Sequence, residues 1–448
     1  MKQEEKFIKT VCDLAIPVAL QSILQASFSI IDQVMIGQLG SVNVAGVGLG
    51  GKFASIFSVL VSAIGAIAGI MISQYMGQKN KHEVRRSFLV NLLIAVGLAG
   101  SFTILCLLFQ TQIMGLYTPD ESTRLVAARY LTIISGTFIP IAGMTLLSTL
   151  FRCMEKALLP LYVSIFSSIL NILLNYILIF GKLGFSPMGV SGAAIATVIS
   201  QVVSLLLMLI LFLKYKACIE VSQERSEITS KFNWKQYGMM LLPILVCELM
   251  WSLGENVYAG IYGNLGTEST AAMTLLNPIQ GITIGALCGL AQAASILIGK
   301  RLGNEAYDEA YSASKKLIYY GFVGAVILSL LIIATNSYYV QIYQVEESVK
   351  HLTKQIAIAY AIIAPFKVLN MILGGGIIRS GGKTKYVMII DLIGTWVFGV
   401  PLGLFAAFVL KLPIPYVYFI LSLEECIRFG ISLVVFRRKN WMQSLKVG

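Results

Sequence analysis

The chain has 448 residues, of which 57% are apolar and 12% charged, and its mean hydropathy is +0.80. Soluble domains carry about 25% charged residues, so this composition excludes a fold that covers itself with a water-exposed surface. The net charge of +12 does not point to nucleic acid, because the lysines and arginines sit in short joints between long apolar stretches.

Those stretches run to about 20 residues or more, which is what a helix needs to cross a hydrocarbon core of about 30 Å. Only helices and closed barrels satisfy their backbone in lipid, and the alternating pattern of barrel strands is absent. An all-α integral membrane protein is therefore expected. Met1 to Lys9 is charged and lacks a cleavable signal pattern, so the first apolar stretch remains as a helix. Twelve spans are expected, at 11–37, 43–76, 87–110, 125–149, 158–180, 189–213, 236–262, 269–299, 312–334, 350–374, 385–409 and 414–436. With alternating sides, most of the 34 lysines and arginines fall together with both termini. Arg124, Lys182, Lys350 and Lys411 fall opposite. By the positive-inside rule both termini are cytoplasmic, and the protein lies in the cell membrane. Basic residues beside anionic lipid account for the charge without nucleic acid. The seven cysteines are scattered without a CxxC pair and read as small buried hydrophobes. His82 and His351 lie near span ends and read as solvated.

The charged stretch Lys214 to Lys235 divides the chain into an N-lobe at 1–213, a linker at 214–235 and a C-lobe at 236–448. The halves repeat without a gap at an offset of 226 residues. Pro17 falls on Pro243, Gly37 on Gly263, Gly40 on Gly266, Gly77 on Gly303 and Tyr117 on Tyr343. One residue of slip brings Arg152 onto Arg379 and Lys156 onto Lys383. Six spans per half means both halves run in the same sense, as in parallel-repeat transporters.

Within the first span, Asp32 is a carboxylate where insertion costs about 2.5–3.5 kcal/mol, so it is expected to face an interior cavity. Gln21, Gln25, Phe28 and Asp32 share one helical face with Ser29 beside them. One reading is an acid that carries a proton or binds Na⁺; the other is a hydrogen-bonded acid that packs two helices. Further along, Glu248 and Glu255 share a face with Trp251, Ser252, Tyr258 and Tyr262 near the stripe. Acids with aromatics suit a lipophilic cation, although aromatics near span ends also anchor helices at the interface. Lys367 in the tenth span is expected to pair with one of these glutamates or with Asp391. Glu424, Glu425 and Arg428 read as a structural network. Pro17, Pro140, Pro243, Pro278 and Pro365 lie within spans, where each removes a backbone bond and bends the helix. Gly46, Gly48, Gly50 and Gly51, with Gly65 and Gly69, permit close helix packing. Gly381 to Thr384 lacks the glycine spacing and the strand of a phosphate-binding loop, so ATP is not expected.

Asp32-Gln-Val-Met-Ile-Gly-Gln-Leu-Gly40 with Ala45 and Pro17 resembles the first-helix signature of the MATE (multidrug and toxic compound extrusion) family. Asn171 to Gly181 is similar to that family's fifth helix, and Pro187 to Thr197 to the start of its sixth. Cys247-Glu248 with Trp251 and Gly254 resembles the seventh, and Arg379-Ser-Gly-Gly the exit of the tenth. The resemblance implies twelve helices in two pseudo-symmetric six-helix lobes around a central cleft. It implies antiport of small organic substrates, amphipathic and often cationic, against H⁺ or Na⁺, with no cofactor. It implies Asp32 as an ion-coupling residue, joined by Asn171 and Thr197. Asn175 stands where many relatives keep an aspartate, which weakens a Na⁺ site and favours H⁺. A bend at Pro17, mirrored by Pro243, that follows Asp32 protonation is a mechanism proposed for such relatives. The expected assembly is a monomer in the bilayer. Flipping of a lipid-linked oligosaccharide is the alternative transport function. A membrane-embedded lipid-modifying enzyme is the alternative of another class, against which the scarcity of histidine speaks.

Overall fold

The computed structural model describes residues 2–215, 232–343 and 345–445, so most of the expected linker at 214–235 lies outside the described residues. Among the described residues the regular structure is helical throughout. Eleven helices are long and apolar enough to cross a membrane. They are α1 (Lys2–Gly37), α2 (Ser41–Gly77), α3 (Lys81–Gly115), α4 (Glu121–Cys153), α5 (Leu158–Phe180), α6 (Gly189–Tyr215), α7 (Trp234–Asn264), α8 (Thr267–Gly303), α9 (Tyr307–Gln341), α10 (Glu347–Ile378) and α11 (Thr384–Val409). The twelfth expected span is a pair, Ile414–Ser422 and Glu424–Arg437, labelled together α12. A tightened turn at Leu423 joins them, with Cys426 N donating to Leu423 O at 3.0 Å. At about 1.5 Å per residue, the pair covers the core that neither half covers alone.

Several helices run beyond their apolar stretches because polar residues at the ends cap them. Asn80 accepts from Glu83 N at 3.1 Å, Asp120 from Thr123 N at 2.9 Å and Asn233 from Gln236 N at 3.0 Å. Each satisfies a helix N–H that would otherwise be orphaned. Hydrogen bonds from Thr123 and Ser122 pull the Asp120 carboxyl down to about 2, so this cap stays charged at physiological pH. Pro140 does not kink a helix interior. It falls in the first turn of Phe138–Cys153, just past a 3₁₀ turn at Ser135–Thr137, where its missing N–H costs nothing. Pro17, Pro243, Pro278 and Pro365 do lie inside continuous helices.

The chain forms two compact units. One comprises Leu20–Ile72 and Asn80–Ile228; the other comprises Met1–Ala19, Ser73–Lys79 and Thr229–Gly448. In the first unit α5 packs on α6, and α4 packs on α3 and α6. Gly46, Gly50 and Gly65 make room for α4: a Cβ on them would lie 2.6 Å from Val126 Cγ1, 2.7 Å from Tyr130 Cδ1 and 2.8 Å from Thr145 Cγ2. Gly48 and Gly51 meet nothing within 4 Å. In the second unit α8, α9 and α10 pack mutually, α7 lies against α11, and α10 against α12.

The repeat is visible in the backbone. The matched glycines Gly40 and Gly266 both turn through positive φ, at 92° and 110°, and the matched pair Lys79 and Glu305 do so at 58° and 56°. Inside the second unit the repeat also produces a reciprocal contact. A Cβ on Gly77 would strike the carbonyl of Lys300, and one on Gly303 would strike the carbonyl of Gln74. Gly77 matches Gly303 and Gln74 matches Lys300, so one contact is the image of the other. The C-terminal segment packs beside it. Gln74 Nε2 donates to Ser380 O at 2.6 Å, Leu445 N donates to Gln74 Oε1 at 2.7 Å, and Gln78 Nε2 donates to Leu445 O at 2.8 Å. Trp441 is fully buried there.

Gly303→Leu is expected to lower the melting temperature of the detergent-solubilised protein by more than about 5 °C, since overpacking against a backbone cannot relax. Gly48→Leu, at an open position, is expected to leave it within about 2 °C. Equal shifts for both would show that the two helix backbones do not meet at Gly303.

Candidate functional site

The polar stripe of α1 faces a cavity of about 540 Å³ inside the first unit, and Gln21, Gln25, Phe28, Ser29 and Asp32 all line it. Three further stripes close the walls. Thr145, Ser148, Thr149 and Arg152 come from α4, Ser164, Ser167, Ser168 and Asn171 from α5, and Thr197, Ser200, Gln201 and Ser204 from α6, with Ser62 from α2. Each set recurs at three- and four-residue steps, which places it on one helical face. That spacing is readable in the sequence, yet only the α1 stripe and the fifth- and sixth-helix motifs drew attention to it. At the far end from Asp32, Arg152 Nη2 donates to Gln21 Oε1 at 2.8 Å.

Asp32 is half-buried and meets amides. Asn175, 1% exposed, donates its Nδ2 to Asp32 Oδ1 at 2.7 Å and to Asn171 Oδ1 at 3.2 Å. The Asn171 amide lies 3.4 Å from Thr197 Oγ1, 3.3 Å from Ser200 Oγ and 3.1 and 3.2 Å from the two carboxyl oxygens of Asp32. The structure brings Asp32, Asn171, Asn175 and Thr197 together. Among the described residues no Lys, Arg or His lies within salt-bridge distance of Asp32, and no three His, Cys, Asp or Glu side chains form a metal cluster.

The acids of α7 have separate surroundings. Glu248 lies 3.9 Å from Arg379. This pair echoes Gln21 with Arg152, one position from the 226-residue match. Trp251 is 48% exposed. Glu255 lines a second cavity of about 230 Å³ with Tyr258, Tyr262, Lys367, Glu424 and Glu425. Lys367 shares this cavity, but among the described residues it reaches no carboxylate within 4 Å, and Asp391 is engaged elsewhere.

That engagement is a buried network around Arg428, which lies 3.8 Å from Asp391, 3.9 Å from Glu424 and 4.0 Å from Glu425. Tyr258 Oη donates to Glu424 Oε2 at 2.6 Å, Asn370 Nδ2 to Glu425 Oε2 at 2.8 Å, and Arg428 to Thr395 Oγ1. Ile393–Gly399 of α11 is a π-helical stretch whose two glycines clear the space. A Cβ on Gly394 would strike the Arg428 side chain, and one on Gly399 the Tyr258 hydroxyl and Glu424. Wide π turns of this kind occur where a helix must accommodate a side chain.

A family model described as MatE matches residues 17–177 and 243–405, and a model of the lipid II flippase MurJ matches residues 120–263. Among curated proteins, an uncharacterized transporter, YisQ, of Bacillus subtilis is 23% identical over 92% of this chain and 90% of its own. A probable multidrug resistance protein NorM of Bacillus thuringiensis is 25% identical over 90% of each. The human multidrug and toxin extrusion protein 1 is 25% identical over 87% of this chain and 68% of its own. Among solved structures, a mutant of the Vibrio cholerae MATE transporter VcmN superposes with a TM-score of 0.88 at 16% identity, covering 98% of each chain. A MATE structure in complex with MaL6 gives 0.88 at 18%, covering 96% of this chain and 95% of the other. These superpositions establish the likeness of fold.

Arg428→Leu leaves three carboxylates without their shared cation, a loss of about 3–5 kcal/mol for a broken buried network. The variant is expected to melt well below the parent in detergent. Adding Glu424→Gln and Glu425→Gln is expected to restore most of the difference. A stable single variant would remove the network from the fold's supports.

Proposed function

The chain belongs to the MATE family of membrane transporters, and from that premise we propose that it exports organic cations in exchange for protons, with Asp32 carrying the exchanged proton. The observation that carries the reading is the carboxyl of Asp32, which opens onto a cavity of about 540 Å³ and is held by Asn175 rather than by a fixed cation. A proton and a cationic substrate then compete for one acid, so that binding one releases the other, which is what antiport requires. Na⁺ would be held by one carboxylate with neutral amide and hydroxyl oxygens, a weaker set of charges than hard cations usually draw. The names of the bacterial and human relatives support drugs and toxins as the cargo. The protein works in the cell membrane by alternating access, both termini cytoplasmic and the monomer sufficient.

The flippase match over residues 120–263 supports a second reading, translocation of an anionic lipid-linked precursor. The acids at the second cavity, Glu255, Glu424 and Glu425, weigh against holding an anion.

In proteoliposomes, an imposed proton gradient is expected to drive ethidium transport and an imposed sodium gradient is not. Asp32→Asn is expected to reduce the proton-driven rate by more than about tenfold while leaving the melting temperature near that of the parent. Sodium-driven transport, or unchanged transport by the variant, would overturn the assignment. Gradient-independent movement of a fluorescent lipid across the same vesicles would favour the flippase.

A further inference from the structure

Lys315 of α9 and Lys439, just past the end of α12, share one aromatic ring. Lys315 Nζ lies 4.5 Å and Lys439 Nζ 4.6 Å from the centre of the Tyr311 ring. The two ammonium groups therefore stand no further apart than twice that reach, where like charges repel. The ring's negative face offsets part of the repulsion but carries no net charge. Phe7 also draws two cations, Arg301 at 5.2 Å and Lys316 at 6.0 Å. There Glu4 supplies an anion, 3.0 Å from Lys316 Nζ. Among the described residues no carboxylate comes within salt-bridge distance of Lys315 or Lys439. The pair on Tyr311 thus lacks what the pair on Phe7 has.

The surroundings say what kind of anion would complete it. Tyr311 stacks on Phe436 with ring centres 4.9 Å apart, and Phe436 on the fully buried Trp441 at 5.8 Å. The start of α9 and the end of α12 therefore meet at an aromatic stack, with two exposed lysines at its outer ring. From there an apolar stripe runs on along α9. Lys315, Tyr319 and Phe322 recur at four- and three-residue steps, which sets them on one helical face. Tyr319 is 64% and Phe322 47% exposed, and both lie within a helix long and apolar enough to cross the membrane. A ligand for this place needs a small anion at one end and an apolar body at the other. A phospholipid has both. A zwitterionic headgroup would bring its own cation to the lysines, whereas a headgroup charged only at the phosphate would not. We propose that Lys315 and Lys439 clamp the phosphate of an anionic phospholipid whose acyl chain lies along Tyr319 and Phe322. Each ammonium takes one phosphate oxygen in a charge-assisted hydrogen bond, and basic pockets between spanning helices suit such headgroups. The lipid staples the start of α9 to the end of α12, beside Trp441 and the C-terminal segment that bonds Gln74. The site lies apart from both cavities and depends on neither the exchanged ion nor the cargo.

The test melts the purified full-length protein in neutral detergent containing phosphatidylglycerol or phosphatidylcholine at equal mole fraction. Phosphatidylglycerol is expected to raise the parent's melting temperature by at least about 3 °C more than phosphatidylcholine does. Lys315→Ala/Lys439→Asn is expected to remove at least half of that difference; asparagine is chosen because Lys439 sits at a φ of 58°, which it tolerates. Lys81→Ala/Arg85→Ala takes two charges from exposed positions at the start of α3 and is expected to keep the difference. Equal effects of the two lipids on the parent, or a difference that survives in Lys315→Ala/Lys439→Asn, overturns the proposal. An equal loss in Lys81→Ala/Arg85→Ala overturns it too, since diffuse attraction then suffices. The same rise from inorganic phosphate at matched concentration would show a free-anion site and overturn the lipid assignment. Should the double variant fail to fold, Lys315→Met decides by native mass spectrometry. Fewer retained phosphatidylglycerol molecules than in the parent supports the clamp, and an equal number overturns it.

Discussion

A charge inside an apolar bundle must be neutralised, paired or shared with water, and the two units of this chain meet that constraint in opposite ways. The second unit surrounds Arg428 with Asp391, Glu424 and Glu425, then adds Tyr258 and Asn370 as donors to the glutamates and Thr395 as an acceptor for the arginine. Such a cluster holds its charges in fixed relation, and the helix that carries it widens into a π turn with two glycines to admit it. The first unit leaves Asp32 with amide partners beside a large polar cavity. The contrast sets a charge-paired cluster in one unit against a carboxyl with amide partners in the other, and the proposed exchange rests on the second.

The duplicated scaffold makes that division possible. Gly77 and Gly303 cross the opposite helix at matched carbonyls, and Gly40 and Gly266 turn with the same sign of φ, so backbone geometry has been kept through the repeat. Side chains have not. Arg152 bonds neutral Gln21, whereas its counterpart Arg379 faces Glu248. Tyr258, the repeat match of Asp32, donates to a glutamate, whereas Asp32 accepts from Asn175. Backbone contacts through glycine depend on shape, and any change there is felt along a whole helix; polar side chains on an inner face can be replaced singly.

The fold was legible in the sequence because lipid imposes one rule on every segment: apolar length and positive joints identify the spans, and glycines and prolines in one register disclose the repeat. Helix ends were less legible. The caps at Asn80, Asp120 and Asn233 carry helices past the apolar stretch, and hydropathy does not register a cap. The break at Leu423 was hidden for a similar reason, since the network of Glu424, Glu425 and Arg428 interrupts an otherwise uniform span. At the site, the α1 stripe was readable because helical periodicity alone orients it. The grouping of Asp32 with Asn171, Asn175 and Thr197 came from family resemblance, because no spacing within one helix says which other helix it faces. Lys367 shows the limit of pairing by charge alone. It could be set against Glu248, Glu255 or Asp391, but Arg428 of another span takes Asp391, and Arg379, at the end of the helix that carries Lys367, takes Glu248.

Under the proposed exchange of a proton for a cation, the wall chemistry of the first cavity bears on how futile exchange is avoided. If the cavity were apolar, a cation would be held chiefly by Asp32, and a proton arriving there would strip it of most of its binding energy at once. With hydroxyls and amides on four helices, part of the affinity lies away from the acid. Protonation then removes the ionic contribution while the neutral contacts persist, so the substrate is loosened rather than expelled before the protein has changed conformation. Neutral hydrogen bonds are individually worth about 0.5–1.5 kcal/mol, small enough to be surrendered in turn to water as the cavity opens. In the proposed exchange, the division of affinity between one titratable group and many neutral ones times release, and it follows from placing a single carboxyl at one end of a polar chamber.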